Sequence, residues 1–308
     1  MLSLAKTLGK KILPPQLLQF VKGRYSHWSE RNKHESIGQY EPRVLDSHRF
    51  AEISSYLIKT HWRNLDLLYS VGNLETPSQC KLCGYKSSES AFKRYVSECI
   101  FFGGKLIRHE CPSCGVIFGP QKVLELEDEL LDMDYKLHYT IFSEGDSTDK
   151  IIRSFHLLCP RKDGLYLDYG CGVAYPKALQ ILREQGYSII GFEPSLDHSS
   201  QYVFKSMTEF SELRFDGIMS HNVLEHLFDP IGTTKSLSDL LNPGGLLVHA
   251  TPCFEYLFEF TRFHVYFFTG GSLQYLASRA GMKVVKLIKD SEMDYMAAVL
   301  TRLQQEDS

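Results

Sequence analysis

The sequence holds no apolar run approaching the 20 or so residues needed to span a bilayer. It holds no basic surplus either. Thirty-four Lys and Arg stand against 37 Asp and Glu, for a net charge of −3. Chains that grip nucleic acid through its phosphates usually carry a positive excess. The start lacks the unbroken apolar core and small-residue cleavage site of a signal peptide. The glycine turn near position 170 also lacks the third glycine of a G-x-G-x-x-G pyrophosphate loop, since position 175 is Tyr. Together these absences point away from a membrane-spanning protein, generic nucleic-acid binding and a dinucleotide site on that turn. They lead to the expectation of a cytoplasmic protein with no nucleic-acid partner.

Cysteine, by contrast, is plentiful, with eight residues. Four fall in two knuckles, CKLCG at 80–84 and CPSCG at 111–115. Each knuckle puts two thiolates on one tight turn, and a glycine after the second cysteine relaxes the backbone. The spacing marks Cys80, Cys83, Cys111 and Cys114 as the four-sulfur set that structural zinc prefers. With all four positions taken by cysteine, no place remains for water, so the expected metal is structural. The segment between the knuckles reads as strands (AFKRYVSECIFF and KLIRHE), and Cys99 within it as a packed thiol.

The run LYLDYGCGVA at 165–174 places an apolar strand before Asp168 and a turn holding Gly170 and Gly172, with a helix starting near Lys177. About twenty residues on, YSIIGFEPS is an apolar strand ending in Glu193, a position suited to ribose hydroxyls. FDGIMSHNVLEHLFDP then gives a third strand running into Asn222, Glu225 and His226. LNPGGLLVHATP gives a fourth. This ordered set, over roughly residues 150–300, resembles the class I S-adenosylmethionine (SAM)-dependent methyltransferases. The resemblance implies an α/β Rossmann-like sheet with an antiparallel last strand, preceded by a small zinc-ribbon-like module and N-terminal helices. It further implies SAM as cofactor, held by Asp168, Gly170, Cys171, Gly172, Glu193 and Asn222. Tyr135 and Tyr139, four apart and on one face of an expected helix, are similar to tyrosines that cover the methionine end of SAM. An aromatic pair packing a domain seam is the competing reading.

The expected organisation is an N-terminal helical segment at 1–75, a cysteine module at 76–122 and the methyltransferase domain at 123–308. Residues 1–24 carry five Lys and Arg among apolar residues, with no acid before Glu30. Two readings stand: helices packed on the protein, or a basic amphipathic segment in peripheral contact with the inner membrane surface. Residues 25–47 read as a loop and 48–72 as a helix. The C-terminus reads as a helix capped near Gly281 followed by two strands.

Methyl transfer to a hydroxyl requires in-line alignment, exclusion of water and removal of a proton. His226 is the expected base and Glu225 its support, because adjacent residues of a helix cannot face one acceptor. His264, in FHVYFFT, sits on a loop similar to the substrate-side loop of these enzymes. The paired knuckles resemble those of sugar methyltransferases. One branch methylates carbon and carries a further C-terminal domain, so this sequence is expected to O-methylate a sugar hydroxyl in a glycan or surface polysaccharide. The alternatives are a methyltransferase acting on RNA, protein or another small molecule, and a non-catalytic SAM-binding scaffold.

Overall fold

The computed structural model describes residues 47–86, 91–143, 145–256 and 261–303. The basic segment 1–24 and the stretch up to residue 46 lie outside them, so neither reading of the N-terminus meets a structural observation. The described residues from 49 onward belong to one compact unit. It opens with helix α1 (Ser47–Val71), which buries Ile58 and Trp62, four apart on one face.

Two sheets follow. The smaller contains β1 (Lys93–Glu98), β2 (Lys105–Glu110), β3 (Ile117–Phe118) and β9 (Tyr266–Phe267), in that order and antiparallel. Strand β9 belongs to the far end of the chain, yet it pairs with β3 through Ile117 opposite Phe267. The cysteine module and the C-terminal part thus share one sheet across the expected boundary at 122/123. Between the sheets in sequence lie α2 (Gln121–Leu124), α3 (Asp128–Tyr139) and α4 (Thr148–His156).

The larger sheet comprises β4 (Leu165–Tyr169), β5 (Ser188–Phe192), β6 (Val203–Phe204), β7 (Phe215–His221), β8 (Leu241–Thr251), β10 (Met282–Asp290) and β11 (Tyr295–Arg302). Helices α5 (Lys177–Glu184), α6 (Pro230–Asp239) and α7 (Ser272–Arg279) connect them. The order is β6-β5-β4-β7-β8-β11-β10. Neighbours from β6 to β8 run parallel, and β11 is antiparallel to both β8 and β10. This is the expected Rossmann-like sheet with its reversed last strand. Tyr166, Leu167, Ile218, Met219, Leu247 and Val248 are almost wholly buried, as a sheet covered on both faces requires. The chain winds outward from β4 in one direction and from β7 in the other. Their carboxyl ends thus flank the switch point where open α/β sheets bind ligands.

Candidate active site

At that switch point the two turn glycines do different work. Both hold left-handed backbone, φ +79° at Gly170 and +80° at Gly172. A Cβ on Gly170 would meet Val223 Cγ2 at 2.4 Å, so this glycine lets the β4 turn pack against the segment leaving β7. A Cβ on Gly172 would meet nothing within 4 Å, so the open side of the turn lies there. The Cys171 side chain turns inward, toward Gly191, and donates weakly to the Val173 carbonyl (3.7 Å). Burial, then the charges of Asp168 and Glu193, push its thiol pKa up.

Asp168 is 2% exposed and its Oδ2 has no hydrogen-bond partner. Burial, and secondarily the Glu193 charge, push its pKa up to about 7. A buried carboxylate oxygen left in this condition fits a cationic amino group. Glu193 accepts from the Gly172 N–H (2.8 Å) on Oε2, and from the Ser195 N–H (3.0 Å) and hydroxyl (2.6 Å) on Oε1. Three of a carboxylate's roughly four acceptor positions are thus occupied, and gripping two ribose hydroxyls would displace the Ser195 hydroxyl. Asn222, exposed and at φ +54°, donates its N–H to the Ala250 carbonyl (2.9 Å) and turns the chain off β7. The donor set as a whole fits SAM.

A second cluster stands beyond β7 and β8. Leu224–His226 is a single 3₁₀ turn rather than the expected α-helix. Glu225 and His226 still point to different sides, with Glu225 0% exposed and His226 half-buried. A hydrogen bond to the Phe263 backbone orients the His226 ring, whose pKa is pushed down to about 3 by burial and then by His264, the Phe263 bond opposing. The His226 and His264 ring centroids are 4.8 Å apart. His264 Nδ1 lies 3.0 Å from Cys253 Sγ, and its carbonyl accepts from the buried Arg108 guanidinium (2.8 Å). Tyr135 and Tyr139 meet hydroxyl to hydroxyl at 3.2 Å, and the Tyr135 ring packs on Phe263 at 5.0 Å.

A buried ion pair sets this geometry. Arg262, 0% exposed, donates through Nε (2.6 Å) and a terminal nitrogen (3.1 Å) to Asp134 of α3, which also accepts from the Trp62 indole (3.1 Å). The tyrosine helix and the His264 segment are fastened together through it. The structure therefore places His226, Glu225 and His264 in one cluster, with Tyr135 packed beside it on Phe263 and Tyr139 against Tyr135. It also adds Cys253, which the sequence reading missed; its position just beyond an apolar strand end, in HATPCF, was the available signal. His221 is set apart, stacked on Tyr295 with Nδ1 3.4 Å from the Ser154 hydroxyl. His249, between the Ser220 and Thr234 hydroxyls at 2.7 and 3.1 Å, is a satisfied core histidine.

The four knuckle cysteines converge with all sulfurs within 4.8 Å of one another. Cys80 and Cys114 are 3.9 Å apart, Cys83 and Cys111 3.5 Å. A tetrahedron of 2.3 Å zinc–sulfur bonds has edges of about 3.8 Å, whereas a disulfide is about 2.0 Å. The knuckles are matched turns: Gly84 donates to Cys80 (3.0 Å) and Gly115 to Cys111 (2.9 Å), both glycines in left-handed backbone. A cavity of about 850 Å³ opens beside the first knuckle, lined by Gln79, Lys81, Gln121 and Arg279 among others. It includes none of the glycine-turn residues.

Residues 145–287 match the family described as a methyltransferase domain. The tRNA U34 carboxymethyltransferase of Campylobacter fetus is 30% identical over 43% of this chain and 57% of its own length. The protein of the same name from Helicobacter hepaticus is 31% identical over 36% of this chain and 42% of its own. The chain thus spans about half the length of these curated relatives. Among solved structures, the 1,6-didemethyltoxoflavin-N1-methyltransferase of Burkholderia thailandensis is similar at 17% identity and a TM-score of 0.46, over 65% of this chain and 96% of that one.

Proposed function

We propose that the protein transfers a methyl group from SAM to a hydroxyl, and that the acceptor is a sugar in a glycan or surface polysaccharide. The observation that carries the hydroxyl assignment is His226, held by the Phe263 backbone and kept neutral by burial. A neutral imidazole with one nitrogen committed to the backbone has the other available to accept a proton. SAM, when bound, supplies an electrophilic methyl on sulfonium. Asp168 pairs with its amino group, the open side of Gly172 admits its amino-acid portion and Glu193 holds its ribose. His226 takes the acceptor proton. Tyr135 and Tyr139 cover the methionine end of SAM, and His264 positions the acceptor. Zinc held by Cys80, Cys83, Cys111 and Cys114 stiffens the module whose sheet is completed by β9, immediately after His264.

A second reading, an RNA acceptor, is favoured by the names of the two curated relatives. The net charge of −3 weighs against it. Incubation with methyl-labelled SAM and fractionated cell extract separates them. Label in glycan is the expected result, and label in RNA alone would overturn the sugar assignment.

A further inference from the structure

Among the described residues, a second group of side chains with the chemistry of metal ligands lies outside the cysteine module. The Glu225 carboxylate, the Cys253 thiol and the His264 imidazole place one donor atom each within 4.8 Å of the others. They come from three segments: the turn after β7, the end of β8 and the approach to β9. Main-chain bonds tie these segments together without any ion. The Val265 N–H donates to the Glu225 carbonyl (2.8 Å), and the Phe268 N–H to the Cys253 carbonyl (2.7 Å). The donors are therefore pre-placed on ordered backbone, the condition for a site that binds without rebuilding its surroundings.

We propose that Glu225, Cys253 and His264 form a second metal site, of the zinc class, distinct from the four-cysteine site. One thiolate, one imidazole and one carboxylate suit zinc rather than magnesium or calcium, which prefer oxygen alone. Three protein ligands leave a fourth position open, as catalytic zinc sites do and the four-cysteine site does not. Cys253 Sγ and His264 Nδ1, now 3.0 Å apart with a proton between them, need to separate to about 3.5 Å to share a tetrahedral ion. Entry of the ion releases that proton to solvent. Glu225 and Cys253 are buried while His264 is half-buried, so the open position lies toward the His264 side, where the His226 ring stands 4.8 Å away. An ion there faces the acceptor hydroxyl. That last step rests on the methyl-transfer reading, but the occupancy of the site does not.

The test counts metal in the full chain, dialysed after equilibration with excess zinc. Two equivalents are expected in the wild type and one in Cys253→Ser and in Glu225→Gln, each with wild-type far-UV circular dichroism. Cobalt titration of the wild type needs no variant. Its second equivalent must carry a thiolate-to-cobalt absorption band. A single zinc equivalent, a second that survives both substitutions, or a second cobalt equivalent without the thiolate band would each overturn the site and leave a hydrogen-bonded Cys–His pair. Metal counts are read apart from turnover, so this inference and the methyl-transfer reading fail separately.

Discussion

Asp168 is the residue whose environment most directly announces a ligand. Its carboxyl is buried, its pKa lies near 7 and one of its oxygens has no partner. The folded-state value exceeds the usual carboxylate value of about 3.9, so without ligand this group weakens the fold as pH rises from about 4 through 7. Asp168→Asn removes that cost. The variant is expected to be more stable than the wild type at pH 8 in the absence of SAM, by on the order of 2–4 kcal/mol in chemical denaturation. It is also expected to bind SAM some 10- to 100-fold more weakly, through loss of a charge-assisted hydrogen bond. Wild-type affinity, measured by calorimetry, should fall as pH drops below about 7 because the carboxyl must then give up a proton. Flat affinity from pH 6 to 8 would show that Asp168 does not meet the amino group. Glu193→Ala should likewise weaken SAM binding, through lost ribose contacts, and unchanged binding would remove that assignment.

His226 runs the other way. With its pKa depressed toward 3, its neutral form persists from pH 8 down to about pH 4. Turnover limited by this base should show no acid limb near the ordinary histidine value of about 6.5, a point that a pH profile of single-turnover rates checks.

Among the elements, α3 and the segment 261–265 depend on each other. Asp134→Ala leaves the Arg262 guanidinium buried without its carboxylate partner, a change expected to cost about 3–5 kcal/mol in chemical denaturation. Asp134→Ala together with Arg262→Met should recover much of that loss, because the double substitution removes the stranded charge. No recovery would mean that the ion pair holds geometry that a hydrophobic pair cannot. In the cysteine module, Cys→Ser at any of the four ligands should lower stability and abolish one zinc equivalent. Four freely titratable thiols in fresh protein would contradict that.

Over the whole molecule, what could be read in the sequence followed the range of the interactions. Strands β4, β5, β7 and β8 were legible because each is a short apolar run closed by a distinctive turn or acid. The paired CxxC spacing announced the sulfur cluster. The pairing of β9 with β3 was not legible, because two-residue strands leave no periodic signal and their partners are some 150 positions apart. The buried Arg262–Asp134 pair was invisible for the same reason, with 128 positions between its residues. Glycines 170 and 172 read alike in sequence and differ in space, since only the structure shows Val223 against the first. Cys253 looked like a strand-end residue until the fold brought it to His264.

The central claim is that His226 removes a proton from a hydroxyl acceptor. Single-turnover methyl transfer by His226→Ala, with SAM binding verified by calorimetry and acceptor saturating, tests it most directly. The account predicts intact SAM binding and a rate lower by on the order of a hundredfold or more. Near-wild-type rates from that variant would contradict it.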